Sequence, residues 1–246
     1  MGKHALLGLL AVIMVLPLAG QGKIEVGRDV EVVPLTATIW RHVTYSVLED
    51  KTRFPANGLI VVYMDRAVLI DTPWTPEQTA VLLDWVAKVL KARVTDVVVS
   101  HAHADRLGGL PEVHRRGIRS IGLDKTRELA LAAGIEAPAK VFSDLARIKA
   151  GRRPLELFYP GPGHTVDNIV VWIADEGVLF GGCLVKAADA GTLGNIAEAD
   201  LAAWPASLDN LTSTYPLARV VVPGHGEPGG RELIDRTLKL LKDAGK

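Results

Sequence analysis

The sequence predicts an α/β fold made of two similar halves, in which the sheets are covered on their outer faces by helices. Two stretches share the order apolar strand, charged turn, apolar strand: "NGLIVVYMDRAVLIDT" (57–72) and "DNIVVWIADEGVLFGG" (167–182). Each precedes a valine-rich run that ends in a histidine loop: "VTDVVVSHAHADRLGG" (94–109) and "LARVVVPGHGEPGG" (217–230). Because both pairs occur in the same order, we expect an internal duplication that builds one layered fold.

Four segments with helical patterns lie between or after these strands. They are residues 75–93, 124–134, 198–215 and 230–245. The first is the best defined, since Thr75 stands as an N-cap, Pro76 occupies the first turn, and Gln78 occupies the capping-box position. Its apolar residues recur at helical spacing. Alternation of strand pairs and helices predicts sheets packed under helical layers.

The composition indicates a globular protein with a sizeable core. The chain has 246 residues, of which 48% are hydrophobic, and 28 basic residues balance 28 acidic ones. A nucleic-acid-binding face usually appears as a basic excess, so nucleic acid is not expected as a partner. No domain-boundary linker is visible, and we expect a single domain over residues 23–246.

The N-terminus has the pattern of a secretory signal. Lys3 precedes an apolar run over residues 5–16, and Pro17 is followed by the small residues of "LAGQG". We therefore predict a signal peptide over residues 1–22, cleaved between about 19 and 22. An uncleaved anchor is the alternative, although about twelve apolar residues are short for a bilayer span. The prediction places the mature protein in the periplasm, without a membrane partner.

Several metal-competent side chains follow strand-like runs. "HAHADR" supplies His101, His103 and Asp105 directly after a valine run, and His164 and His225 also come after apolar segments. Residues at strand ends can come together at one edge of a sheet. Imidazole donors favour zinc over hard cations, which prefer oxygen ligands. Cys183, which follows "VLFGG", brings the number of candidate ligands to six. Six ligands are more than one tetrahedral site needs and suit two zinc ions.

Cys183 is the only cysteine, so an intramolecular disulfide is excluded. A buried inert thiol, an intermolecular bridge and a metal-bound thiolate all stay open from its neighbours alone. His42 and His114 lack a comparable context and are expected to be solvated surface residues.

The motifs "HAHADR", "GPGHT", "GGC" and "PGHG", in this order, resemble the metallo-β-lactamase superfamily. That resemblance implies a four-layer αβ/βα sandwich with the metal site at the sheet rim. Many hydrolases of the superfamily carry a histidine directly after the aspartate and an aspartate where this chain has Cys183. Arg106 and Cys183 instead resemble the class B β-lactamases that have a three-histidine site and an Asp-Cys-His site.

The resemblance also implies roles for individual residues. His101, His103 and His164 would hold one zinc ion, and the second would be held by Asp105, Cys183 and His225. Asp105 would orient the nucleophile and take its proton. Lys186 would pair with the substrate carboxylate, and Asn195 would donate to the substrate or the developing oxyanion. A solvated lysine and a turn asparagine are the alternatives.

Two further features are implied beside the metal. Asp71 and Arg106 would support the site from beneath, although Asp71 could instead cap the approach to a helix. The segment 44–58 resembles the family's mobile hairpin over the cleft, with Phe54 and Val47 covering an apolar substrate face. An ordinary solvent-facing hairpin is the alternative.

Taken together, the resemblance implies an exported, monomeric zinc β-lactamase that confers antibiotic resistance. Its expected substrates are penicillins, cephalosporins and carbapenems, attacked by metal-bound hydroxide. No serine-nucleophile motif of the S-x-x-K or G-x-S-x-G type is present. The alternatives are another exported di-zinc hydrolase acting on a lactone, thioester or phosphoester, and a non-catalytic periplasmic zinc-binding protein.

Overall fold

A computed structural model describes residues 22–245 of the chain. The strands are β1 (Ile24–Gly27), β2 (Val30–Pro34), β3 (Ile39–Val47), β4 (Arg53–Tyr63), β5 (Arg66–Ile70), β6 (Arg93–Val98), β7 (Arg119–Leu123), β8 (Lys140–Phe142), β9 (Leu145–Ala150), β10 (Arg153–Phe158), β11 (Val170–Ile173), β12 (Val178–Gly182) and β13 (Val220–Pro223). The helices are α1 (Pro76–Lys88), α2 (Ala104–Leu107), α3 (Leu110–Arg115), α4 (Asp124–Ala132), α5 (Trp204–Thr214) and α6 (Glu232–Ala244). The predicted signal segment lies outside the described residues, apart from Gly22.

The strands form two sheets with helices on both outer faces. The first sheet has the order β1 to β8, and the second has the order β13-β12-β11-β10-β9. One apolar cluster, which includes Val98 and Phe180, lies between the sheets. A second packs Leu82 of α1 against the first sheet, and a third packs Trp204 of α5 and Leu240 of α6 against the second. The predicted four-layer αβ/βα sandwich is therefore confirmed.

The two halves share a topology. In the first, β4 and β5 form an antiparallel hairpin, α1 follows, and β6 pairs parallel to β5. In the second, β11 and β12 form the hairpin, α5 follows, and β13 pairs parallel to β12. Both parallel strands end at a histidine loop, as the repeated sequence pattern predicts.

Helix α1 begins where the cap predicts, although its capping box is only half formed. Thr75 Oγ1 accepts a hydrogen bond from Gln78 N (3.3 Å), as expected of an N-cap. The Gln78 side chain instead donates to Tyr45 O (2.7 Å), so it fastens the helix to β3. The helix ends at Lys88, short of the predicted residue 93, because Arg93 already begins β6.

Helix α5 begins at Trp204, six residues later than its pattern suggests. The preceding residues are used for a turn, in which Asp200 Oδ1 accepts from Ala203 N (2.9 Å) and Asp200 N donates to Gly163 O (2.9 Å). Within residues 22–245 no helix combines the length and apolarity needed to cross a bilayer.

Candidate metal centre

The six predicted ligands lie together at one edge of the sandwich. His101 follows β6, His164 follows β10, Cys183 follows β12 and His225 follows β13. Ligand atoms of His101, His164 and Cys183 lie within 4.8 Å of one another, so residues from both halves meet there. The strand ends of the two sheets therefore deliver the donors to a common rim.

His101, His103 and His164 form a group that we call the histidine cluster. Their ring centroids lie 4.6 to 5.3 Å apart, and His101 Nε2 is 3.1 Å from His103 Nδ1. Burial holds the pKa of His101 well below its usual value, helped by the neighbouring histidines. Burial, with nearby Lys186, lowers the pKa of His164 to about 2. His101 and His164 are thus neutral and keep a lone pair for a metal.

Two carboxylates that the motifs do not reveal hold this cluster in place. Asp167, which is fully buried, accepts a hydrogen bond from Ala102 N at 2.9 Å and so fixes the loop between His101 and His103. Glu198 Oε2 lies 2.9 Å from His103 Nε2, on the side of the ring away from His101. A carboxylate behind a ligating imidazole fixes its tautomer and raises its basicity. Asp167 and Glu198 lie 65 and 95 residues along the chain from their partners, so only folding shows these contacts.

Asp105, Cys183 and His225 form a second group, which we call the mixed cluster. His225 Nε2 lies 3.3 Å from both Cys183 Sγ and Asp105 Oδ2. Burial opposes ionisation of Asp105 and Cys183, but the Arg106 guanidinium and His225 together outweigh it, so the pKa of each is lowered. Burial works against protonation of His225, yet the negative charges of the Cys183 thiolate and Asp105 raise its pKa to about 9. The cluster is therefore ionic, in contrast to the neutral His101 and His164 of the histidine cluster.

Arg106 lies fully buried beneath the mixed cluster. Its Nη2 donates to Cys183 Sγ (2.9 Å) and Gly224 O (3.0 Å), and lies 2.7 Å from Asp105 Oδ2. A Cβ at Gly224 would lie 2.5 Å from Cys183 Sγ and 2.7 Å from Arg106 Nη2, so the close approach requires glycine. The guanidinium fork thus positions two ligands of the mixed cluster at once.

Asp71 supports Arg106 from the other side. Its carboxylate has no exposed surface, accepts hydrogen bonds from Ser100 N (2.7 Å) and Ser100 Oγ (2.8 Å), and lies 3.3 Å from Arg106 Nη1. Burial raises the pKa of Asp71 to about 7, against the opposing effects of Arg106 and Ser100. Thr75 caps α1, so the alternative role of Asp71 as a helix cap is wrong. Asp71 instead ties the β6 loop to the arginine.

A cleft of about 340 Å³ opens over both clusters and is also lined by Lys186 and Asn195. Lys186 is half-buried, and its Nζ lies 5.3 Å from the Trp204 ring centroid. Burial lowers the pKa of Lys186. Asn195 Oδ1 accepts a turn hydrogen bond from Ala197 N (3.1 Å), whereas its amide nitrogen has no protein partner in residues 22–245. Both residues therefore face the space in which a substrate would meet the clusters.

The β3–β4 hairpin contributes one of its two predicted apolar residues to this cleft. Phe54 lines it, with its ring centroid 4.8 Å from that of His225 and 6.4 Å from that of Trp74. Val47 is 64% exposed and lies outside the lining. The hairpin thus borders the cleft through Phe54 alone.

The expectation that His42 is a solvated surface residue is wrong. His42 is 1% exposed, and its Nε2 lies 3.3 Å from Ile70 O and 3.2 Å from Asp71 O. Burial lowers the pKa of His42 to about 4, so it is a neutral core residue that braces the backbone at Asp71. His114 is only half-buried, and it contacts Glu136 and Ser120 rather than either cluster.

The chemistry of the donor set fits zinc. Imidazole, thiolate and carboxylate donors occur together, and the ligand atoms of Asp105, Cys183 and His225 lie within 4.8 Å of one another. Those of His101, His103 and Asp105 also meet that limit. Nitrogen and sulfur donors in groups of three suit a zinc ion that keeps an open coordination position, whereas calcium and magnesium prefer oxygen donors.

Comparisons with known proteins indicate the family of the chain. A family model described as the metallo-beta-lactamase superfamily matches residues 52–225. The chain is 38% identical over 230 residues to a metallo-beta-lactamase type 2 from Bacteroides fragilis, covering 93% of this chain and 92% of that protein. It is 41% identical over 213 residues to a metallo-beta-lactamase type 2 from Bacillus cereus, covering 87% and 83%. The solved structure of a metallo-beta-lactamase from Erythrobacter litoralis is similar with a TM-score of 0.85 and 38% identity, covering 90% of this chain and 100% of that one.

Proposed function

The chain belongs to the metallo-β-lactamase superfamily, and we propose that it is an exported zinc-dependent β-lactamase that hydrolyses the amide bond of the β-lactam ring. Relatives of 38 and 41% identity that match most of the chain carry the name metallo-beta-lactamase type 2, which supports this substrate class. Penicillins, cephalosporins and carbapenems are the proposed substrates, and antibiotic resistance is the proposed consequence for the host.

We assign the histidine cluster to one zinc ion and the mixed cluster to a second. Zinc supplies Lewis acidity, which polarises a carbonyl and lowers the pKa of bound water to about 7. Asp105 belongs to the mixed cluster, and its ligand atom also lies within 4.8 Å of those of His101 and His103. One carboxylate thus stands where the two clusters meet.

The remaining steps belong to side chains in the cleft. Asp105, kept ionised by Arg106, is placed to orient the attacking water and accept its proton. Lys186 would hold the carboxylate of the substrate, an attraction that strengthens in a partly desolvated cleft. The unpartnered amide nitrogen of Asn195 would donate to the substrate or to the oxyanion that develops during attack.

The contact between Arg106 Nη2 and Cys183 Sγ, at 2.9 Å, is the observation that carries the proposal. It supports a second site that contains a thiolate and a buried arginine, the combination by which the sequence resembles the Asp-Cys-His β-lactamases. A superfamily hydrolase of lactones, thioesters or phosphoesters is the second candidate, but this contact counts against it. A non-catalytic zinc-binding protein would not need Lys186 and Asn195 in one cleft with both clusters.

The N-terminal pattern supports export of the mature domain, residues 23–246, to the periplasm after cleavage of residues 1–22. We propose that the mature protein acts there as a monomer on small-molecule substrates. N-terminal sequencing of protein recovered from a periplasmic extract tests the cleavage, which is expected between about residues 19 and 22.

Turnover of a chromogenic cephalosporin by the zinc-supplemented protein tests the activity. Hydrolysis should be lost on chelation and restored by zinc, and native mass spectrometry should show two zinc ions per chain. Asp105→Asn protein, purified in parallel, controls for contaminating enzymes and should have little activity. Undiminished turnover after metal removal would contradict the zinc mechanism, and faster turnover of a lactone or phosphodiester would favour the second candidate.

A further inference from the structure

A second cavity lies behind the loop that carries Asn195. It has a volume of about 420 Å³ and lies between residues 191–196 and residues 236–244 of α6. Small-molecule sites commonly have volumes of about 300 to 1,000 Å³, so this cavity is large enough for a ligand. We call it the rear cavity. It contains none of the six proposed metal ligands.

The rear cavity and the substrate cleft share a wall at Gly194, which lines both. Gly194 has a φ of 72°, and a Cβ added there would meet nothing within 4 Å. Its backbone nitrogen donates to Thr192 Oγ1 (3.2 Å), and Ala197 N donates to Asn195 Oδ1, so these bonds stay within the loop. Leu193 is buried and anchors the segment, whereas the residues after it are exposed. A ligand behind this wall would restrain the backbone of Asn195.

The lining combines positive charge with apolar surface. Arg236 and Lys239 come from successive turns of α6, and Asp243 lies one turn further on. Arg236 Nε donates a hydrogen bond to Ala190 O (3.0 Å), whereas exposed Lys239 has no protein partner in residues 22–245. The lining carries two cations and one carboxylate, a net charge of +1, which favours a ligand with a single negative charge.

Apolar side chains line the same cavity. Leu193 and Leu240 are buried, and Ile196 is 41% exposed despite its size. Burying an exposed isoleucine side chain at the rim of a cavity against an apolar group of a ligand is favourable, because apolar surface is removed from water. We infer that the rear cavity binds a small amphiphilic monocarboxylate, with its chain against Ile196 and its carboxylate towards Lys239, and that binding restrains the loop carrying Asn195.

Sodium octanoate is the probe, and titration calorimetry on the purified protein measures its binding. Acetate, which lacks the chain, and octanol, which lacks the charge, should each bind more weakly. Lys239→Glu should weaken octanoate binding by about three- to tenfold. Lys242→Glu is the matched control, since it makes the same charge change on α6 outside the lining, and should leave binding unchanged. Amide hydrogen exchange across residues 191–196 should slow when octanoate is bound.

The outcomes separate this site from the metal centre. Equal affinity in the Lys239→Glu and Lys242→Glu variants, or no saturable binding, would overturn the inference. Loss of binding on chelation of the metal would also overturn it, because octanoate would then occupy the substrate cleft. None of these measurements depends on turnover, so failure here leaves the proposed β-lactamase activity untouched, and the converse also holds.

Discussion

The histidine cluster and the mixed cluster lie in one cleft but are held in place by opposite means. The histidine cluster consists of imidazoles, two of them kept neutral by burial, and its supports are the carboxylates of Asp167 and Glu198. The mixed cluster carries anionic ligands, and its support is the cationic fork of Arg106. Carboxylates thus support the imidazole cluster, and a cation supports the anionic one.

This difference predicts unequal metal binding. Glu198 behind His103 adds negative charge, which favours a cation and raises the basicity of that imidazole. Arg106 adds positive charge directly beneath the mixed cluster, so it assembles the ligands while opposing a second cation. We therefore expect the histidine cluster to bind zinc more tightly than the mixed cluster.

Cys183→Ser breaks the mixed cluster and should have the largest effect. A serine hydroxyl does not ionise as the thiol does, so one zinc ion should stay bound while the second is lost. Cephalosporin turnover should fall by about a hundredfold or more. Native mass spectrometry counts the zinc, and cobalt-substituted protein should lose its thiolate-to-metal absorption band. Retention of two zinc ions would refute the assignment of Cys183.

Arg106→Lys tests the cationic support and should have an intermediate effect. Lysine keeps the charge but cannot span Asp71, Asp105 and Cys183 with one ammonium. The free energy of unfolding of the zinc-free protein should fall by about 3 kcal/mol, because buried anions lose their partner. Urea denaturation measures this, with exposed Arg28→Lys as the matched control. Equal stability of the two variants would show that the fork is not needed.

Glu198→Gln tests the support of the histidine cluster and should have the smallest effect. An amide can still contact His103 Nε2, but it lacks the charge that raises the basicity of the ring. Zinc affinity at the histidine cluster should fall about tenfold, with the mixed cluster unchanged. Competition with a chromogenic chelator measures the affinity, and Glu128→Gln on the exposed face of α4 is the control. A loss of zinc affinity confined to the mixed cluster would contradict the assignment of Glu198 as a support of the histidine cluster.

The strand repeats, the helix cap at Thr75 and the gathering of the six proposed ligands at one edge could all be predicted from the sequence. These features depend on local pattern: apolar alternation, cap chemistry, and polar residues placed directly after a strand. The predicted start of α5 was wrong by six residues, because Asp200 forms a turn whose partner, Gly163, is distant in the chain. The prediction that His42 is a solvated surface residue was wrong for a related reason, because its burial beside Ile70 and Asp71 depends on tertiary packing.

By itself, the sequence determined which residue types stand at the strand ends and hence which metal chemistry they suit. Only the tertiary structure decided how each ligand is supported. Arg106 reaches Asn57, Cys183 and Gly224 across 49, 77 and 118 residues of chain. Glu198 reaches His103 across 95. Such partners leave no local periodicity, because their contact depends on how two sheets pack face to face and not on the spacing of neighbouring side chains.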